Sequence, residues 1–196
     1  MRRRSPEQNA RLAGLEGSAP DVVACWRVAD SRDLYRELRR RTVVGSAPRI
    51  LAQQDAVADA LAEALDALPE AALRAPGGEE NWNVAQTFAH TTAARRFLAA
   101  WAALSAAGEW PADSPPRVLP SVPGRPDLGR DALQLLLAKS RRSQAESAAA
   151  ITGHERDRCP LEHPLVGRLR CGEWLLFVGV HDLMHLEQLH RLAGDG

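Results

Sequence analysis

The 196-residue chain predicts an all-α fold: a four-helix bundle with a long crossover between its second and third helices. Three observations carry that expectation. Four segments space their apolar residues at the three-and-four period of an amphipathic helix, at residues 48 to 68, 82 to 106, 130 to 151 and from about 171 onward. Prolines gather between the second and third of them, at 111, 115, 116, 120, 123 and 126, which gives an extended link there and no helix. The length suits one domain with a substantial core and is short for two.

Residues 1 to 46 mix arginine, glycine, proline and small residues, and are expected to form a partly disordered extension of low core potential. Its one helical element is a short helix at about 31 to 41, which Ser31 can cap. The bundle domain is expected over 47 to 196. Its first helix has Pro48 in the opening turn, then Ile50, Leu51, Val57, Leu61, Leu65 and Leu68 at helical spacing. Pro76, Gly77 and Gly78 break the chain, after which Asn81 or Asn83 can cap the second helix. Its inward stripe collects Asn83, Gln86 or Thr87, His90, Ala94, Phe97 and Trp101.

The proline-rich link is long enough to join two parallel neighbours, since an antiparallel pair needs only a tight turn. In the third helix Leu133, Leu136, Leu137, Ser140, Gln144, Ser147 and Ala148 face inward, and Gly153 stops it. Residues 154 to 170 read as an irregular loop. The fourth helix places Trp174, Val178, His181, His185, Gln188 and Leu192 on one stripe.

Lys and Arg number 25 and Asp and Glu 25, so the net charge is zero and nucleic acid is not an expected partner. No apolar run is long enough to span a bilayer, and none follows Arg2, Arg3 and Arg4 as a signal peptide requires, so a cytoplasmic protein is expected. Cys25, Cys159 and Cys171 are odd in number and widely spaced, which suggests reduced thiols without a redox motif.

Among the six histidines, angular position separates a site from bystanders. His181 and His185 are four residues apart, about 40° round a helix, so both rings leave the same face. His90 lies about eight residues into the second helix and His185 a similar distance from the far end of the fourth, so antiparallel packing brings them to one level. His190 lies about 180° from His181 and is excluded from the group. His154, just past a helix end, suits the helix dipole, and His163 before Pro164 either lines a cleft or makes a structural hydrogen bond. Three inward imidazoles left without partners cost a few kcal/mol, whereas one divalent ion uses all three lone pairs. Three such ligands leave a coordination position open, as in catalytic sites. Gln188, Asn83 and Gln86 are the side chains expected to orient a ligand, each with a plain core role as the alternative.

The segments NWNVAQTFAH at 81 to 90, HPLVG at 163 to 167 and EWLLFVGVHDLMHLEQ at 173 to 188 resemble the DinB-like superfamily of four-helix-bundle metalloproteins. The resemblance covers about residues 48 to 193. It implies an up-down-down-up bundle, a homodimer, and a divalent transition metal on His90, His181 and His185, zinc first with nickel or iron as alternatives. It further implies a small-molecule substrate and an S-transferase reaction on a low-molecular-weight thiol, with mycothiol as the co-substrate. A metal-dependent hydrolase and a non-catalytic bundle that binds a metal or small ligand are the alternatives. No Asp or Glu falls on the metal face by spacing, so no general base is assigned.

Overall fold

Each long helix forms where the apolar period predicts it, and several of the starts and stops have a local cause. The computed structural model describes residues 12, 14–29, 32–75, 81–113, 117–119, 122–164 and 166–194. In chain order these hold helices α1 (Pro20–Arg27), α2 (Asp33–Arg41) and α3 (Ala47–Ala67), and a 3-10 turn (Glu70–Arg74). Then come α4 (Val84–Ala106), α5 (Arg130–Ile151), strands β1 (Arg158–His163) and β2 (Gly167–Arg170), and α6 (Cys171–Gly194). Pro48 sits in the first turn of α3, where its missing N–H has no helical partner to lose. At the start of α4 the choice falls on Asn83: its Oδ1 accepts from Gln86 N at 2.8 Å while Gln86 Oε1 accepts from Asn83 N at 3.2 Å, a complete capping box. Gly153, at φ 93°, ends the segment after α5. The Pro76 to Gly78 break and the Ser31 cap lie outside the described residues.

Helices α3, α4, α5 and α6 form the frame. Helix α4 packs mainly on α5 and α6, and α3 on the same two, which leaves α3 and α4 across the diagonal. The core runs through their centre from Ile50, Leu61 and Leu65 to Phe88, Leu133, Trp174 and Leu183. Among the described residues no helix is long and apolar enough to cross a membrane.

The structure corrects three expectations. The first concerns the low core potential of residues 1 to 46. Helix α1 packs along α6 and buries Val22, Val23, Cys25 and Trp26, and α2 buries Leu34 and Leu38. The apolar residues of this segment are too few to stand out in its composition, but Val22, Val23, Trp26, Leu34 and Leu38 fall on inner faces. Gly179 on α6 makes room for them: a Cβ there would lie 2.8 Å from Val22 Cγ2. Polar anchors fix the start of α1, where Gln53 accepts from Asp21 N at 2.8 Å and donates to Asp21 Oδ2 at 2.7 Å, and Arg41 donates to Asp21 Oδ1 at 2.6 Å.

The second correction is in the loop from 154 to 170, which contains an antiparallel hairpin pairing Arg158 with Arg170 and His163 with Gly167. Its anchor is the fully buried Glu155, whose carboxylate accepts from Ala47 N and Gly153 N, both at 3.0 Å, and whose pKa these backbone bonds lower against the upward pull of burial. The third concerns the inward stripe of α4. Phe97 is 64% exposed, and the deepest side is formed by Val84, Phe88, Thr91, Arg95, Leu98 and Ala102. An arginine holds a core position on that side, which shifts the face read from apolar spacing.

Candidate metal centre

His90 is positioned by α4 two turns beyond its capping box, and His181 and His185 by the middle of α6. The three rings meet between these helices. His181 Nε2 lies 3.3 Å from His90 Nε2 and 3.3 Å from His185 Nε2, and ring centroids are separated by 4.5 to 5.3 Å. One nitrogen from each falls within 4.8 Å of the others, so this half-buried group could hold a metal ion. His190 is half-buried and stands outside it. His154 binds Asp157 at 2.8 Å in the turn after α5. His163 accepts from Val166 N at 3.4 Å through Nδ1 and packs against Phe177 and Trp174, with centroids 5.4 and 6.2 Å apart.

Hydrogen bonds on the far side of two rings decide where their lone pairs point. Val122 O lies 2.8 Å from His90 Nδ1 and can only accept, so the proton of neutral His90 is on Nδ1. Gln188 Oε1 accepts in the same way from His185 Nδ1 at 3.0 Å. Both Nε2 atoms therefore present lone pairs to His181. If His181 carries its proton on Nε2, it can donate to only one of them, and its own buried Nδ1 lacks a donor. If the proton is on Nδ1, three lone pairs face one another and a buried donor is left over. A cation answers the three-lone-pair arrangement. Tetrahedral ligation with metal–nitrogen bonds of about 2.0–2.1 Å puts ligand nitrogens roughly 3.3 Å apart, the spacing of the two pairs here.

Burial supports the neutral forms. It pushes His181 well below its ordinary pKa, helped by the neighbouring His185 and His90. His185 is pushed down to about 4 by burial, although its bond to Gln188 pulls the other way. Burial also lowers His163.

Of the three side chains expected to orient a ligand, Gln188 touches a histidine of the cluster, and it is His185 that it holds. The side chains of Asn83 and Gln86 form the capping box, and Asn83 Nδ2 also donates to Pro126 O at 3.0 Å. Three neighbours of the cluster escaped sequence reasoning. The Val122 carbonyl is backbone and carries no signature of residue type. Trp82 packs against His90 with ring centroids 5.1 Å apart and tilted at 58°, at a position legible only once the helix start is known. Arg95 is wholly buried, donating to Asp182 Oδ2 and Gln144 Oε1, with its Nε 3.1 Å from Ser140 Oγ. An arginine among Ala94, Phe97 and Leu98 was the available signal. Asp182, next to His181 in sequence, is thereby committed to Arg95, and burial still pushes its carboxyl up to about 6 against the arginine's pull.

No curated protein and no solved structure matches the chain. A family model does: the one described as DinB superfamily aligns with residues 53–189, which begin inside α3, take in all three histidines and end near the close of α6. On that match, with a helical frame of the expected kind and a three-histidine group inside it, the chain belongs to the DinB superfamily.

Proposed function

We propose that His90, His181 and His185 hold a divalent transition metal and that the protein is an S-transferase for a low-molecular-weight thiol of the mycothiol type. The observation that carries the metal half is the meeting of three Nε2 atoms with two opposite Nδ1–H groups already engaged. Imidazole ligands suit zinc, with nickel and iron as alternatives. A bound divalent ion supplies Lewis acidity, which favours a ligand thiol as thiolate near neutral pH.

The chain's own residues supply orientation. Val122 O and Gln188 Oε1 fix two rings. Trp82 covers one side of His90, while Phe177 packs with His163 and Trp174. Among the described residues no carboxylate joins the three-histidine group, and a ligand thiol ionised by the metal itself would need no separate base. The cross-helix pairs support an up-down-down-up order: Arg130 and Arg141 of α5 meet Leu65 and Asp55 of α3 in antiparallel sense, His90 and Arg95 of α4 meet His185 and Asp182 of α6 likewise, and the early turns of α3 and α6 meet at Gln54 and Leu175.

The test joins elemental analysis of protein purified without an affinity tag to a thiol-consumption assay with mycothiol and monochlorobimane. The expected result is about one metal per chain, lost in His181→Ala, and turnover that a chelator abolishes. Metal without thiol turnover, or thiol-independent ester cleavage, overturns the transferase reading. Absence of metal overturns both.

A further inference from the structure

The link between α4 and α5 looks like a spacer in sequence, yet it is fastened to the first turns of α4 around His90. Asn83 Nδ2 donates to Pro126 O at 3.0 Å, Gly124 N donates to Gln86 O at 3.3 Å, and His90 Nδ1 donates to Val122 O at 2.8 Å. Gly124 is the closest approach. A Cβ at that position would overlap Ala89 Cβ and stand 2.7 Å from Gln86 O and 3.0 Å from His90 N. Those neighbours are helix backbone and a helix methyl, so they cannot move aside, and any larger residue must lift the link off α4. The Val122 side chain is 54% exposed and its carbonyl makes the contact, so what the link contributes here is backbone.

We infer that the Val122 carbonyl, seated by Gly124 against α4, is a positioning group that fixes the tautomer and orientation of His90; the part of this that concerns metal affinity rests on the reading of the cluster as a metal site. Which nitrogen of an imidazole carries the proton is set by the partner of the other one. Lifting Val122 O away removes the acceptor that holds the proton on Nδ1, so Nε2 is no longer reserved as a lone pair towards His181. Loss of such a supporting bond to a ligand histidine weakens metal binding about 10–100-fold.

The experiment uses the full chain labelled with ¹⁵N in histidine. Ring-nitrogen shifts of the metal-free protein give the His90 tautomer, and competition with a chromophoric chelator gives the zinc affinity. In the wild type His90 is expected as the Nδ1–H form. In Gly124→Ala, checked as folded by far-UV circular dichroism, the Nε2–H form is expected to appear and zinc affinity to fall by at least about 10-fold. Asn83→Asp is the second variant: it keeps the oxygen that caps α4, loses the donor to Pro126 O, and is expected to move both readouts the same way by less. A folded Gly124→Ala with the wild-type tautomer and affinity overturns the inference. If Gly124→Ala does not fold, unchanged readouts in Asn83→Asp overturn it instead. A wild type that binds no zinc overturns the metal reading, and the tautomer measurement then decides the positioning role alone.

Discussion

At the scale of single residues, the centre depends on imidazoles held neutral in a half-buried place. His185 is pushed down to about 4 and His181 well below its ordinary value, while both titrate near 6.5 in an unfolded chain. As pH falls the unfolded state takes up these protons first, so they remove stability from about 6.5 downward. Asp182 acts in the opposite sense: its carboxyl is raised to about 6, so the folded chain binds that proton first at lower pH. Between pH 7.5 and 6 the histidines dominate. The urea midpoint of the metal-free protein is expected to fall over that range, and His185→Asn to flatten the slope. A midpoint independent of pH there contradicts the assignment. The same residues show how much of the centre is legible in sequence. The i, i+4 pair and an inward His90 follow from helical angles, whereas the acceptors of their Nδ1 protons do not, because one is a backbone carbonyl from a distant link.

At the scale of elements, α6 owes its position to being covered on more than one side. Leu175, Leu176, Val180 and Leu183 are buried along with Trp174 and Val178, so the helix has apolar neighbours nearly all round over this stretch. Helix α1 provides one of them, and the contact of Val22 with Gly179 sets how close it comes. Gly179→Val is expected to cost about 1–3 kcal/mol through overpacking, and to open α1 to trypsin at Arg27 before the rest of the chain is cut. Proteolysis with mass spectrometry and a denaturant titration read the two effects. Equal stability and protection would show that α1 is not seated through this contact. The helix starts and stops of the bundle were readable because capping residues, Pro48 and Gly153 are local signals. Helix α1 and the β1–β2 hairpin were not, since both are short and bury their few apolar residues against partners far along the chain.

At the scale of the whole molecule, Arg95 ties three helices together inside the core, from α4 to Asp182 on α6 and to Ser140 and Gln144 on α5. Both charges of the Arg95–Asp182 pair are fully buried. Removing one leaves the other unpaired in the interior, so Arg95→Met is expected to cost about 3–5 kcal/mol. The double change Arg95→Met with Asp182→Leu is expected to cost less than the sum of the single changes, because no lone charge is left behind. Urea unfolding of the three variants gives the coupling directly, and strictly additive losses would remove the ion pair from the account.

The sequence by itself determined the helical class, the four long segments, the family and the histidines worth following, because helical period, caps and short motifs are written in neighbouring residues. Only the tertiary structure decided that helices α1 and α2 complete the packing, that an arginine occupies the core beside the histidines, and that the proline-rich link holds His90. Those outcomes rest on contacts between groups 20 to more than 100 positions apart, and several run through backbone atoms that every residue shares.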